Sequence, residues 1–151
     1  MEASTDATCR HGKADIVFAL DQSGSINYLE WRHFLAFTKN VAGAFRIGRD
    51  LTRVGLLKFS NYVNIKFHLD KYDDRQSVMD AIGKLRNSGG NTNIAAALRT
   101  ARNMLSVSNG ARPAVPKILI LLTDGSANHE QSNTLPEANL TKSDGIKVSV
   151  Q

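Results

Sequence analysis

Asp15-Ile16-Val17-Phe18-Ala19-Leu20-Asp21-Gln22-Ser23-Gly24-Ser25-Ile26 is the stretch on which the reading of this 151-residue chain turns. Its first half is a short apolar run, β-branched and aromatic, of the kind that forms a strand buried on both faces of an α/β sheet. Its second half is polar. The carboxylate of Asp21 closes the strand, and hydroxyls follow at Ser23 and Ser25, with Gly24 between them to let the backbone turn sharply. In doubly wound sheets ligands bind just outside the carboxyl ends of the strands. Hard oxygen groups gathered on such a loop suit Mg²⁺ or Ca²⁺ rather than zinc. The same residues allow a second reading, in which Asp21 and Ser25 cap the helix that follows.

Working outward, apolar residues at Trp31, Phe34, Phe37, Val41 and Phe45 recur at helical spacing and predict a helix over 28–45 lying on the sheet. Residues 53–60 read as a second strand. Val63, Ile65, Phe67 and Leu69 then alternate with polar neighbours, which predicts an antiparallel edge strand joined to it by a hairpin at Asn61 and Tyr62. A helix is expected over about 74–85, with Asp73 and Gln76 at the spacing of a capping box. The flexible Ser88-Gly89-Gly90-Asn91-Thr92-Asn93 loop follows, and then a helix carrying Ile94, Leu98, Ala101 and Leu105 on one face. Thr92 is either a ligand-bearing residue or the cap of that helix. Ile118-Leu119-Ile120-Leu121-Leu122-Thr123-Asp124-Gly125 repeats the logic of the opening stretch: a central strand ends in a carboxylate. Asp21 and Asp124 are expected at the carboxyl edge of adjacent parallel strands, close enough to share one cation. A helix over 135–142 and a strand over 146–150 complete the pattern.

Composition narrows the functional classes. Hydrophobic residues make up 42% and charged residues 22%, which favours a folded domain over disorder. The formal net charge is +5, but the 19 basic residues are dispersed along the chain. With no basic run and no recognised binding motif, nucleic acid is not the expected partner. No apolar run approaches the roughly 18 residues of a membrane span. Residues 1–14 are polar and read as a leader or linker without the features of a signal peptide, and residues 15–151 read as one domain. The single cysteine, Cys9, cannot form an internal disulfide.

Three motifs occur in order: Asp21-x-Ser23-x-Ser25, Gly89-Gly90-x-Thr92-Asn93, and Leu121-Leu122-Thr123-Asp124-Gly125. Together they resemble the von Willebrand factor type A domain and its metal-ion-dependent adhesion site, in the flavour of matrilins, type VI collagens and cochlin-like matrix proteins. The resemblance implies a doubly wound, mostly parallel sheet with helices on both faces. It also implies one bound ion, Mg²⁺ or else Mn²⁺ or Ca²⁺, held by Asp21, Ser23, Ser25, Thr92 and Asp124, with Gly24, Gly90, Asn93 and Gly125 shaping the loops. One coordination position is then left for an acidic side chain of a partner such as a collagen. Ile94 stands where many members carry a second threonine, which removes a hydroxyl close to the ion. Members usually continue for one more strand and a final helix, so the resemblance implies a domain incomplete at its carboxyl end. In matrix members a cysteine before the first strand often pairs with one after the last helix, which would leave Cys9 without its partner.

The expectation is therefore a secreted or cell-surface, non-enzymatic adhesion module, with self-association possible. Asn139-Leu140-Thr141 is an N-glycosylation sequon compatible with that location. Two alternatives stay open: a matrix-assembly module that does not rely on the metal, and an intracellular scaffold of the same family. Catalysis is disfavoured on several grounds. A haloacid-dehalogenase-like site would want an aspartate where Ser23 stands, no Gly-x-Ser-x-Gly surrounds Ser23 or Ser25, and no lysine follows the Gly89-Gly90 loop as a phosphate loop requires. None of His11, His33, His68 and His129 has zinc-like spacing to another ligand.

Overall fold

β1 (Asp15–Asp21) is buried along its whole length. Ile16, Phe18 and Leu20 enter one core and Val17 and Ala19 the other, the period-two alternation that a strand imposes. The computed structural model describes residues 12–123 and 131–151. Of the residues singled out above, Cys9, His11, Asp124, Gly125 and His129 lie outside the described residues.

β2 (Arg53–Phe59) and β4 (Lys117–Leu122) pair in parallel with the two sides of β1. β3 (Val63–Phe67) runs antiparallel on the outer side of β2, and β5 (Ile146–Val150) runs parallel on the outer side of β4. The strand order is β3-β2-β1-β4-β5, the doubly wound, mostly parallel sheet that the family resemblance implies, with the antiparallel edge that the apolar alternation predicts. The chain winds outward from β1 to β3 and returns on the other side of β1. The topological switch point therefore lies between the carboxyl ends of β1 and β4, the location where open α/β sheets bind ligands.

Helices cover both faces. α1 (Tyr28–Gly43) and α2 (Arg75–Gly83) contribute Trp31, Ala42, Val78 and Ile82 to the core containing Phe18 and Leu56. α3 (Ile94–Met104) contributes Ile94, Ala97, Leu98, Ala101 and Met104 to the opposite core, beside α4 (Gln131–Ser143). At the amino end of the sheet, buried Asp15 receives Arg112 Nη2 at 2.8 Å and the Arg112 backbone N–H at 2.7 Å. That pair closes the pole opposite the switch point.

Three local expectations are corrected. The alternation Val63-Ile65-Phe67-Leu69 does not mark one continuous face. A register shift between Leu56 and Leu57 places Phe67 in the core on the α2 side, while Val63 and Leu69 pack on the α3 side. Such an irregularity inserts a residue and reverses which face later side chains meet. The cap of α2 is Asp74, whose carboxylate accepts from Ser77 N at 2.8 Å. Asp73 instead lies 3.6 Å from Arg49. Finally, α4 begins at Gln131 and runs through Pro136, where the sequence pattern predicted a start near Leu135. Glu137 of this helix is bound by Arg99 and Arg102 of α3, and that tertiary anchorage offsets the backbone hydrogen bond that proline cannot make.

Candidate metal centre

The first question at the switch point is whether its polar residues are used up in capping helices, and they are not. α1 is capped by Asn27 in a reciprocal capping box with Glu30: Asn27 Oδ1 accepts from Glu30 N at 2.8 Å and Glu30 Oε1 accepts from Asn27 N at 3.1 Å. α3 is capped by Asn93, whose side chain accepts from Ala96 N at 2.9 Å. Asp21 and Ser25 are thus not the cap of α1, and Thr92 is not the cap of α3. The capping alternative fails at both loops.

Asp21 ends β1 with 0% of its surface exposed. Its Oδ1 accepts from Ser23 N and its Oδ2 from Thr123 Oγ1, each at 2.8 Å. Among the described residues it makes no ion pair. A carboxylate buried to this degree ordinarily finds a cationic side chain or a metal. Above it, Ser23 Oγ and Ser25 Oγ lie 3.0 Å apart, with Ser23 buried and Ser25 exposed. The buried Thr92 and Asn93 follow the glycine loop at the same edge.

Backbone contacts lock the loops together. Gly24 N donates to the Gly90 carbonyl at 2.8 Å, and Asn93 N donates to the Ser60 carbonyl at 2.9 Å. Gly90 has a φ of 111°, and a Cβ there would meet Asn61 Oδ1 at 2.9 Å and Ser60 Oγ at 3.0 Å, so both its conformation and its surroundings call for glycine. Asn61 Oδ1 also accepts from Asn91 N at 2.7 Å. Asn87 Nδ2 donates to the Ile26 carbonyl at 2.9 Å, and Gln22 Oε1 accepts from Ser88 N at 3.3 Å.

The structure thus brings Asp21, Ser23, Ser25, Gly24 and Gly90 to one edge, with Thr92 and Asn93 on the glycine loop beside them. Asp124 and Gly125 directly follow Thr123, outside the described residues. Sequence reasoning missed Gln22, Asn61, Asn87 and the bond from Thr123 to Asp21. Asn61 was legible in principle: a residue directly after a strand parallel to β1 must lie at the same carboxyl edge. The donor set fits a hard cation, being oxygen throughout. No group of three His, Cys, Asp or Glu side chains able to hold a metal occurs among the described residues, where the buried Asp21 carboxylate stands beside the serine hydroxyls.

A family model described as the von Willebrand factor type A domain matches residues 15–150. The chain belongs to the von Willebrand factor type A family. Among its relatives, the collagen alpha-5(VI) chain of Mus musculus is 39% identical over 122 residues, covering 81% of this chain and 5% of that protein. Matrilin-2 of Mus musculus is 30% identical over 143 residues, covering 92% of this chain and 15% of its own length. The chain therefore spans a small part of these relatives. Among solved structures of the family, proximal thread matrix protein 1 from the mussel byssus, with a zinc-occupied MIDAS motif, superposes with a TM-score of 0.86 at 30% identity, covering 94% of this chain and 38% of that one. The manganese-loaded TRAP protein of Plasmodium vivax shares the fold with a TM-score of 0.81 at 23% identity, over 91% of this chain and 56% of its own. Two solved structures that share this fold are thus described with a divalent metal.

Proposed function

We propose that this von Willebrand factor type A domain is a divalent-cation-dependent protein-binding module of an extracellular matrix or cell-surface protein. One ion is held by the hydroxyls of Ser23 and Ser25, with Thr92, Asp21 and Asp124 contributing directly or through water. The observation that carries the reading is the pair of serine hydroxyls 3.0 Å apart above the fully buried Asp21. At this distance the two hydroxyls hydrogen-bond to each other, which brings two oxygen donors to one point above the carboxylate. A hard divalent cation such as Mg²⁺, Mn²⁺ or Ca²⁺ suits such donors.

When bound, the ion supplies positive charge and an open position for a carboxylate of the partner. The chain's own residues do the remaining work. Asp21 is fixed by Ser23 N and Thr123, and the link from Gly24 to Gly90 holds the glycine loop against the serines. Around this polar centre stand exposed apolar side chains: Tyr28 at 71%, Leu29 at 66% and Tyr62 at 83% exposure. Aromatic and aliphatic groups beside a polar anchor are what a protein partner buries. The collagen and matrilin relatives support a matrix setting and a role without catalysis, and a collagen-like acidic partner belongs to the proposal. Asn139 is exposed on α4 and available for a glycan, although Thr141 of the same sequon is buried in the helix.

The test is calorimetric titration of Mg²⁺ and Mn²⁺ into the parent chain and into Ser23→Ala and Asp21→Ala, with folding followed by circular dichroism and capture on immobilised collagens compared in Mg²⁺ and in EDTA. Saturable binding that is lost in a folded variant, together with EDTA-sensitive capture, is the expected result. A folded parent that takes up no ion at millimolar concentration overturns it. A second reading is metal-independent matrix assembly, to which the backbone bonds that brace the loops, from Gly24 to Gly90 and from Asn93 to Ser60, lend support. Under that reading, self-association or matrix capture persists unchanged in EDTA.

A further inference from the structure

Six of the basic residues that are scattered in sequence gather in the fold. Three clefts meet at buried Leu85, where α2 gives way to the loop that approaches the metal centre. One, of about 410 Å³, is lined by Lys58, Lys66, Lys84 and Arg86. A second, of about 690 Å³, shares Arg86 with it and passes beside Gly24. The third, of about 360 Å³, shares Tyr28 and Trp31 with the second and is lined by Arg32 and Lys39. No carboxylate lines any of the three. Nor is any of the six cations in an ion pair among the described residues, although Arg99, Arg102 and Arg112 elsewhere are paired. Lys58 lies buried at the floor, its Nζ donating to the Arg86 carbonyl at 2.7 Å. Burial, and then the neighbouring Lys66, lower its pKa, as expected where like charges gather without a counter-anion.

We propose that these joined clefts bind an extended sulfated polysaccharide, independently of the metal centre. Six uncompensated cations around one junction exceed what a single small anion would engage. Four of the six are lysines, compact point charges, and two are arginines, whose forks also pair with tetrahedral oxyanions. Single-stranded bases would need open aromatic faces on which to stack. Here the Tyr72 ring packs edge-on against Phe67 at 5.0 Å and Trp31 is buried, which leaves one exposed ring, Tyr28, with Arg32 at 5.7 Å from its centre.

The experiment is fluorescence anisotropy of a labelled heparin dodecasaccharide with the full chain in EDTA, at about 150 mM salt and across a salt series. The exposed residues are changed together as K66A, K84A and R86A. A control removes the same charge elsewhere as K13A, K142A and K147A. The expected result is roughly tenfold or greater loss in the cleft variant, with a salt slope smaller by about 2, against under about threefold loss in the control. Equal losses in the two variants, absence of binding by the parent at about 150 mM salt, or equally tight binding of desulfated dodecasaccharide, polyglutamate or oligo-dT each overturns the proposal. Because EDTA is present throughout, failure of the metal site leaves this result untouched.

Discussion

At the scale of single residues, the two glycines of the Ser88–Asn93 loop differ in a way that a substitution can read. Gly89 and Gly90 both have positive φ, 78° and 111°. A Cβ at Gly89 meets nothing within 4 Å, whereas one at Gly90 collides with Asn61 and Ser60. Gly89→Ala therefore bears only the left-handed backbone cost, about 1 kcal/mol. Gly90→Ala adds a steric clash that pushes the loop away from Ser60 and from Gly24. We expect Gly90→Ala to lose about 2–3 kcal/mol of stability and to weaken Mg²⁺ or Mn²⁺ binding, while Gly89→Ala keeps near-parent cation affinity. Urea unfolding and calorimetry on the two variants check this, and equal cation affinities in the two would refute the role given to the Gly90 contact. The candidate site residues were proposed at this scale, because three short motifs bring hard oxygen donors together locally. Which asparagine caps which helix was not legible there. Asn27 and Asn93 took the caps because each directly precedes its helix with the backbone of a cap residue, and only those coordinates separate Thr92 from Asn93 in that role.

Between elements, the contact of α3 with α4 depends on charge. Hydrogen bonds from Arg99 and then Arg102 hold the Glu137 carboxyl below its ordinary pKa, against the opposing effect of burial. A carboxylate whose folded pKa is depressed stabilises the fold fully above its unfolded value of about 4.3 and loses that contribution as pH falls through the folded pKa. Glu137→Gln should therefore cost about 1 kcal/mol at pH 7, and the gap between parent and variant should narrow at about pH 3.5. Urea midpoints at the two pH values decide it, and a gap independent of pH would show that packing rather than charge joins the helices. No sequence periodicity announced this pair, because Arg99 and Glu137 are 38 residues apart. The same limit explains β3. Strict alternation at Val63, Ile65 and Phe67 suggested one face, but the bulge opposite Leu56 and Leu57 is set by how β3 meets β2.

At the scale of the whole molecule, an ion bound only by the folded state must stabilise it. With Mg²⁺ at a hundred times its dissociation constant the gain is about 2.7 kcal/mol, or roughly 5–10 °C in Tm for a domain of this size. We expect Tm to rise with Mg²⁺ or Mn²⁺ and to stay flat in Asp21→Ala and in EDTA, as scanning calorimetry would show. A parent Tm indifferent to either ion would refute a cation site built on the folded loops. The two poles of the sheet divide this work. The buried Asp15–Arg112 pair closes the amino end, while the carboxyl end keeps its buried carboxylate, Asp21, without an ion-pair partner among the described residues. The sequence by itself determined the strands and the helices and pointed to the candidate site residues, because burial patterns and turn chemistry act over a few neighbouring positions. Only the tertiary structure decided how separated loops meet. Thr123 reaches Asp21 across 102 residues and Asn61 braces the glycine loop across 30. Lys58, Lys84 and Arg86 likewise share a cleft with Lys66 and no acid. Strand order and register set those meetings, and they are properties of the assembled sheet rather than of any one stretch of chain.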